Sequence, residues 1–350
     1  MPQTGAAAAP VGPPPAPLPV NPPPQGRGFS PGAAAAIGLG AGLIGGYLAG
    51  STAQQYSDVQ RDRRQFDGDG YILYREPGRT IVQEDNIYFI RHDETQRFRE
   101  LGGDVRTYQQ GSTLLTAANR PDGSQVITVT DLNGRLLQRI KRFPEGREVV
   151  LIDNTYTGPE RRYQDEVIIL PPPPLVIARE RYIVDADNAP EDVIYETLSA
   201  PPVAPLPRRY TLDEVRASPD LRAHMRSVDI NSINFDTGSF TVTPDQASKL
   251  AIIAHALLQA IHSNPQEVYL IEGYTDAVGS PVDNLSLSDR RAQSVATLLT
   301  QSYNVPPENL STQGFGAQNL KVQTQDAARE NRRVTLRRIT PLLQAPQPAQ

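Results

Sequence analysis

The chain has 350 residues, 33 of them proline, no cysteine and a formal net charge of −5, with an isoelectric point near 5.5. The missing cysteines exclude disulfides, thiolate zinc sites, thiol catalysis and an acylated lipoprotein cysteine, and the acidic balance gives no footprint for nucleic acid. The length allows two modest domains, while clustered prolines assign much of the chain to linkers.

Residues 1–32 hold eleven prolines among Ala, Gly and Val, a Pro/Ala-rich composition that favours extended segments and cannot bury a core, so a disordered tether is expected. Its opening lacks the basic and apolar regions of a secretory signal, so the expectation is either a true start upstream or a signal that has been removed or mis-called. In residues 33–50, Gly38, Gly42, Gly46 and Gly50 recur every fourth position without a charge, the glycine-zipper face that lets helices approach closely in a membrane. Arg61, Arg63 and Arg64 after it, against Arg27 before it, would hold the remainder in the cytoplasm if the segment crossed an inner membrane. Outer-membrane contact or self-association is the expectation instead.

Residues 66–154 read as a β-rich domain. Ile72, Ile81 and Ile90 recur every nine residues with turn signals at Pro77-Gly78 and Asp85-Asn86, and Asp93 is a candidate cap for a short helix ending at Gly102-Gly103. The runs 125–130, 135–142 and 147–153, separated by Asn133-Gly134 and Pro144-Glu145-Gly146, suit a three-stranded meander. The basic residues from Arg135 to Arg147 read as a solvated strand face, and His92 as part of a polar turn.

Residues 155–207, bracketed by Pro171 to Pro174 and by Pro201 to Pro207, read as a Pro-rich linker with short strands at 167–170 and around Ile183. A Thr211-Leu-Asp-Glu214 capping box then starts a helix that Pro219 limits. Strand-like residues 232–235 precede Thr243-Pro-Asp-Gln246, an N-cap, a Pro at N1 and a capping-box Gln. Leu250, Ile253, Ala254, Leu257, Leu258 and Ile261 form one helical apolar stripe. A strand at 268–271 delivers Thr275 and Asp276 to a loop; Ser286 or Ser288 is the expected cap of a second helix with core face Ala292, Val295, Ala296 and Leu299. Strands at 310–313 and 334–339 complete a β-α-β-α-β-β order, and residues 341–350 read as a disordered tail. The expected class is α+β: a C-terminal two-layer β-α-β-α-β-β domain with helices on one face of a mixed sheet, preceded by a β-rich meander domain and Pro/Gly-rich disordered segments.

Asp276 and Arg291 stand fifteen positions apart across a strand, loop and helix junction, the edge where ligands of open α/β sheets gather. An anion suits an ammonium and a guanidinium fork suits a carboxylate, so the pair can grip a zwitterion.

Residues from about 227 to 340 resemble the OmpA-like peptidoglycan-binding domain of Gram-negative outer-membrane proteins, within a chain segment assigned to it as 208–340. The resemblance rests on Ile233-Asn-Phe-Asp-Thr-Gly-Ser239, Gly-Tyr-Thr-Asp276, Asn284-x-x-Leu287-Ser288-x-x-Arg291-Ala292, Gly314-Phe-Gly316 and Asn331-Arg-Arg-Val334. It implies that Asp276 contacts the ammonium and Arg291 the carboxylate of diaminopimelate in the wall peptide. It also implies that Asn284 ties the loop to the helix and that Phe235, Thr237, Tyr274, Thr275 and Leu287 line the pocket, with Arg332 or Arg333 either near the ligand or an exposed strand charge. Residues 71–154 resemble a strand-rich segment beside such domains in some alphaproteobacterial proteins.

The function expected is non-covalent binding of diaminopimelate-type peptidoglycan that anchors the outer membrane or envelope to the wall, in the periplasm, with no cofactor, no metal and no nucleic acid. The alternative is an envelope scaffold whose β-rich domain binds a protein partner while the C-terminal domain localises it. An enzyme is not expected: there is no GxSxG, HExxH or P-loop, His255 and His262 read as surface residues, and Glu272 with Asp276 is a weak glycosidase pair. Wall-binding flagellar stators need a carboxylate in a membrane helix, and residues 33–50 have none.

Overall fold

A computed structural model describes residues 55–344 except Asp69, 102–103, 156–165, 174–176, Asn234 and Thr237. The expected tether, the glycine face at 33–50 and the Gly102-Gly103 helix end lie outside the described residues. Among those described, no helix is long and apolar enough to cross a membrane.

After helix α1 (Tyr56–Asp62), strands β1 (Arg64–Gly68), β2 (Tyr71–Glu76), β3 (Arg79–Glu84) and β4 (Ile87–His92) form a four-stranded antiparallel meander in chain order. The nine-residue recurrence brings Ile81 and Ile90 into register, and both are buried against Val282 and Leu285 of a long helix further on. Helix α2 (Gln96–Glu100) follows, its entry turned by Asp93, which accepts from Thr95 N at 2.8 Å.

The second sheet has five strands in chain order, β5 (Val105–Gln110), β6 (Thr113–Asn119), β7 (Gln125–Asp131), β8 (Leu136–Arg142) and β9 (Glu148–Asp153). The expected meander is its last three strands. β5 is an edge strand whose residues after Val105 are all exposed, so it carries no apolar alternation to read.

The third sheet runs β10 (Ile183–Asp185), β11 (Ser227–Ile230), β14 (Val334–Arg338), β12 (Tyr269–Gly273), β13 (Leu310–Gly314). Only β10 with β11 and β12 with β13 pair in parallel. Alternate residues of a strand face opposite sides. Tyr269 and Ile271 join a core with helices α4 (Glu191–Ser199), α8 (Ala251–Ser263) and α9 (Pro281–Tyr303), which is the expected helical layer. The other face is covered as well. Val268 and Leu270 pack with Leu212 and Val215 of α5 (Leu212–Ala217), Leu221 of α6 (Pro219–Arg222), Leu342 of α10 (Thr340–Leu343), and Leu136, Val149, Leu151 and Ile152 of the second sheet.

Several elements depart from expectation for identifiable reasons. The segment expected as a spacer yields the strand expected around Ile183 as β10 and adds α3 (Arg179–Tyr182) and α4, with Ile194 and Leu198 fully buried; its flanking prolines conceal a short amphipathic element between them. Residues 167–170 pair with no strand: Ile168 N donates to Ser218 Oγ at 2.6 Å and Ile169 is 84% exposed. The strand expected at 232–235 ends instead at Ile230, freeing the next residues to form a loop. Where a tail was expected to begin, α10 buries Leu342 and Leu343.

Helix α7 (Pro244–Ser248) starts at the expected Thr243 cap, where Gln246 Oε1 accepts from Thr243 N at 3.3 Å, and α8 buries the expected stripe apart from half-buried Leu258. Helix α9 begins earlier than either expected cap. Ser280 is its N-cap, accepting from Asp283 N at 3.1 Å, and Pro281 occupies N1. Ser286 and Ser288 are therefore buried inside the helix, and Arg291 sits in its third turn. The helix rests directly on the sheet: a Cβ at Gly273 would stand 2.0 Å from Ser288 O, and one at Gly314 2.3 Å from Asp289 N. Only glycine permits that approach.

The two N-terminal sheets meet α9 and β13 along a buried ionic seam. Arg79 Nε lies 2.7 Å from Asp289 Oδ2, and Asp289 Oδ1 accepts from Gly314 N at 3.0 Å. Glu94 is held by Arg139 at 2.9 Å and Arg216 at 2.7 Å. Glu76 receives Arg63 at 2.7 Å and Arg290 at 3.0 Å, and Lys141 reaches Glu308 at 2.8 Å. The expectation of a solvated basic face holds at exposed Arg142 and Arg147 and fails at Arg139, which is fully buried in this seam. His92 is no polar turn either; its ring lies buried between Glu94 and Asp289, 3.4 Å from each.

Burial opposes ionisation of Glu94 and Asp289, yet Arg216, His92 and Arg139 around the first, and His92 and Arg79 around the second, hold both carboxyls well below the usual carboxylate range. Groups depressed in this way stabilise the fold above their unfolded pKa of about 4 and lose that contribution as pH falls through the folded value. Urea titrations should show stability flat near neutrality and falling below about pH 4 by up to roughly 2.7 kcal/mol per pH unit for two protons. Asp289→Asn should flatten that slope, and an unchanged slope would remove Asp289 from the account.

Candidate ligand site at the β12 exit

Strand β12 ends at Gly273, and its continuation is held from both sides: Tyr274 N donates to Arg333 O at 3.0 Å and Thr275 N to Gly316 O at 2.8 Å. Tyr274 is buried, stacked on Phe315 with centroids 5.5 Å apart and covered by the Arg333 guanidinium at 3.9 Å. Its hydroxyl donates to Glu272 Oε2 at 2.7 Å, and burial with the Glu272 charge pushes that hydroxyl up. Tyr274 is a pillar beneath the loop. Glu272 is fully committed to Arg337 at 2.7 Å and to Tyr274, so its carboxylate is engaged in the sheet and does not face Asp276 as an acid or base.

Those supports deliver Asp276, whose Oδ2 accepts from Arg332 Nη1 at 2.6 Å. Of the two arginines left open by the motif, Arg332 is therefore the one in the site, while Arg333 stacks on Tyr274 and donates to Asn319 O at 3.0 Å.

Arg291 lies in a different environment. Its Nε donates to Ser239 O at 3.0 Å and Nη2 to Asp236 O at 3.2 Å, its guanidinium stands 4.9 Å over the Phe235 ring, and Nη1 has no partner. It is 1% exposed, and among the described residues no carboxylate comes within ion-pair distance. Burial, helped by the positive charge of Arg332 and opposed by Asp276, lowers its pKa to about 10, so it remains a cation at neutral pH.

The remaining expected residues surround this pair unevenly. Thr275 is buried with its Oγ1 unpartnered. Asn284 is buried in the first turn of α9, where its backbone N donates to Ser280 O at 2.9 Å and its amide faces Gly279. Leu287 is half-buried, and Thr237 lies outside the described residues. The carbonyls of Asp236 and Ser239 are ligand-site groups that no side-chain motif reveals.

The arrangement is one carboxylate already paired to a cation, beside a second, buried cation lacking an anion. Its chemistry is capture of a small anion, above all a planar carboxylate that can take two parallel N–H bonds. Among the described residues no group of acidic or histidine side chains is arranged to hold a metal ion.

Residues 234–333 match the OmpA family. The chain is 35% identical over 109 residues to the probable lipoprotein YiaD of Escherichia coli (strain K12), covering 30% of this chain and 47% of that protein. It is 34% identical over 114 residues to outer membrane protein Omp38 of Acinetobacter baumannii, covering 33% of this chain and 27% of that protein. Among solved structures, the peptidoglycan-associated lipoprotein from Burkholderia pseudomallei aligns at 27% identity and a TM-score of 0.27, over 33% of this chain and 92% of that one. The chain thus spans about half the length of the first of these curated relatives and about a quarter of the second.

A buried charge without a counter-ion is costly to the ligand-free fold, and replacing it by an apolar side chain of similar reach is often neutral or stabilising. Arg291→Met should leave the unfolding free energy within about 1 kcal/mol of the parent, or raise it. A fall beyond about 3 kcal/mol in urea unfolding would show that the guanidinium already has a strong partner.

Proposed function

Because residues 234–333 form an OmpA-family domain, we propose that this chain binds diaminopimelate-type peptidoglycan non-covalently and anchors the cell envelope to its wall. The observation that carries this reading is Arg291, a buried cation with an unpartnered Nη1 and no carboxylate partner among the described residues. The diaminopimelate carboxylate supplies the missing anion there. Its ammonium is assigned to Asp276, whose pairing with Arg332 leaves carboxylate lone pairs to spare. The same assignment makes the protein a binder and not a catalyst, since recognition needs no bond to break. The outer-membrane names of relatives such as Omp38 support a periplasmic, outer-membrane-associated setting, in which many weak contacts with a repeating wall lattice add by avidity.

Co-sedimentation of the full-length chain with purified sacculi tests the proposal. The parent should pellet, and Asp276→Ala and Arg291→Ala should each weaken binding by about 10- to 150-fold, the value of a charge-assisted hydrogen-bond set. Undiminished binding by both variants would sink the site; no pelleting of the parent would sink the function.

A further inference from the structure

The loop that holds Arg291 is itself held by a part of the chain outside the OmpA-family region. Tyr56 N, at the first position of α1, donates to Gly238 O at 3.1 Å. The Tyr56 hydroxyl donates to Asp283 Oδ1 at 2.9 Å, in the first turn of α9, and Arg63 joins Asp283 at 2.9 Å to Glu76 at 2.7 Å. Glu76 Oε2 in turn accepts from Arg290 Nη2 at 3.0 Å, and the Arg290 guanidinium lies 5.7 Å over Phe240.

Two described positions of this loop are therefore tied to the N-terminal part, Gly238 directly by Tyr56 and Phe240 through Arg290, which Glu76 holds. Between them sit the Asp236 and Ser239 carbonyls that receive Arg291. Among its described residues the loop braces itself through Ser239 N to Asp236 O at 3.0 Å and Thr241 N to Ser239 Oγ at 3.1 Å, and Gly238 has φ of +68°, a conformation open to glycine and little else. A recognition group must be held to within about 0.5 Å by neighbours that are themselves locked.

We propose that Tyr56 and Glu76 are positioning residues for the wall-peptide carboxylate, so that the site is completed by the β-rich N-terminal part and not by the OmpA-family domain alone. The proposal rests on the wall-binding reading above. Tyr56 fixes the carbonyls that aim Arg291, and Glu76 fixes Arg290 and through it Phe240. Loosening either lets the guanidinium turn away, which weakens recognition of the carboxylate in particular.

The geometry offers a clean variant. Position 56 is the first residue of a helix, where proline is tolerated, and Gln55 before it is extended at φ −125° and ψ 151°, as a residue preceding proline must be. Tyr56→Pro removes both side chain and N–H, while Tyr56→Ala removes the side chain alone. With the full-length chain, calorimetry would compare a soluble stem peptide containing diaminopimelate with the same peptide amidated at the diaminopimelate side-chain carboxylate. The parent should prefer the acid by about tenfold or more. Tyr56→Pro and Glu76→Gln should bring that ratio within about threefold, with Tyr56→Ala between; each also lowers the thermal midpoint because both residues are buried, so the readout is the acid-to-amide ratio measured well below that midpoint, which a loss of stability alone does not move. A parent-like ratio in folded Tyr56→Pro, or in Glu76→Gln should Tyr56→Pro not fold, overturns the positioning role while leaving the wall site intact. A parent that does not distinguish acid from amide, or an Arg291→Ala variant that still does, removes the wall site and this role with it.

Discussion

A carboxylate buried inside a helix has to be neutralised where it stands, and Asp289 is the group on which this molecule turns. It lies in α9 at the point where Gly273 and Gly314 let the helix backbone touch the sheet, and it ties the helix inward to Gly314 N and outward to Arg79 and His92. The inward bond fixes the height of α9 on β13. The outward ones dock the first sheet. Breaking a buried pair of this kind costs about 3–5 kcal/mol because the surviving charge is stranded, so the seam sets the register of everything packed against the helix, including Arg291 two positions on.

Against the paired carboxylates of that seam, the candidate site holds a cation with no carboxylate beside it among the described residues. Glu76, Glu94 and Asp289 each have two or more donors, whereas Arg291, equally buried, has two backbone carbonyls, an aromatic face and a free Nη1. The same burial that costs the empty protein stability strengthens any charge-assisted bond a ligand makes there, since water does not compete for the donor. An unpartnered nitrogen does not by itself mark Arg291, since Arg139 Nε and Nη1 in the seam and Arg97 Nη1 also lack partners. What sets Arg291 apart is that it lies within the electrostatic reach of Asp276 and Arg332.

Much of this was legible where local chemistry dominates. Thr211 and Thr243 cap the helices expected of them, the stripe from Leu250 to Ile261 lies in the core, and Ile81 and Ile90 meet across their strands. Ser280-Pro281 was an equally local signal for the start of α9, and the serines within the Asn284 to Arg291 motif competed with it. Other features had no local signal. β5 is polar on both faces because it is an edge; α4 is short and framed by prolines; and Arg139 and His92 carry the same residue types as solvated positions elsewhere in the chain. Within the candidate site, the motif singled out Asp276 and Arg291, and Arg332 as the partner of Asp276 was one of two open choices.

By itself the sequence determined the α+β class, the strand and helix order of residues 227–340, and the two side chains able to meet a zwitterion, because capping, periodicity and residue chemistry act over a few positions. Tertiary structure alone decided which charges are spent and which are free. Asp276 is joined to Arg332, Glu272 is locked to Arg337, Arg139 of β8 is buried against Glu94, and Arg291 is left with carbonyls of a loop held from residue 56. Charge pairing depends on through-space distances between residues as many as 227 positions apart, and no pattern along the chain encodes those distances.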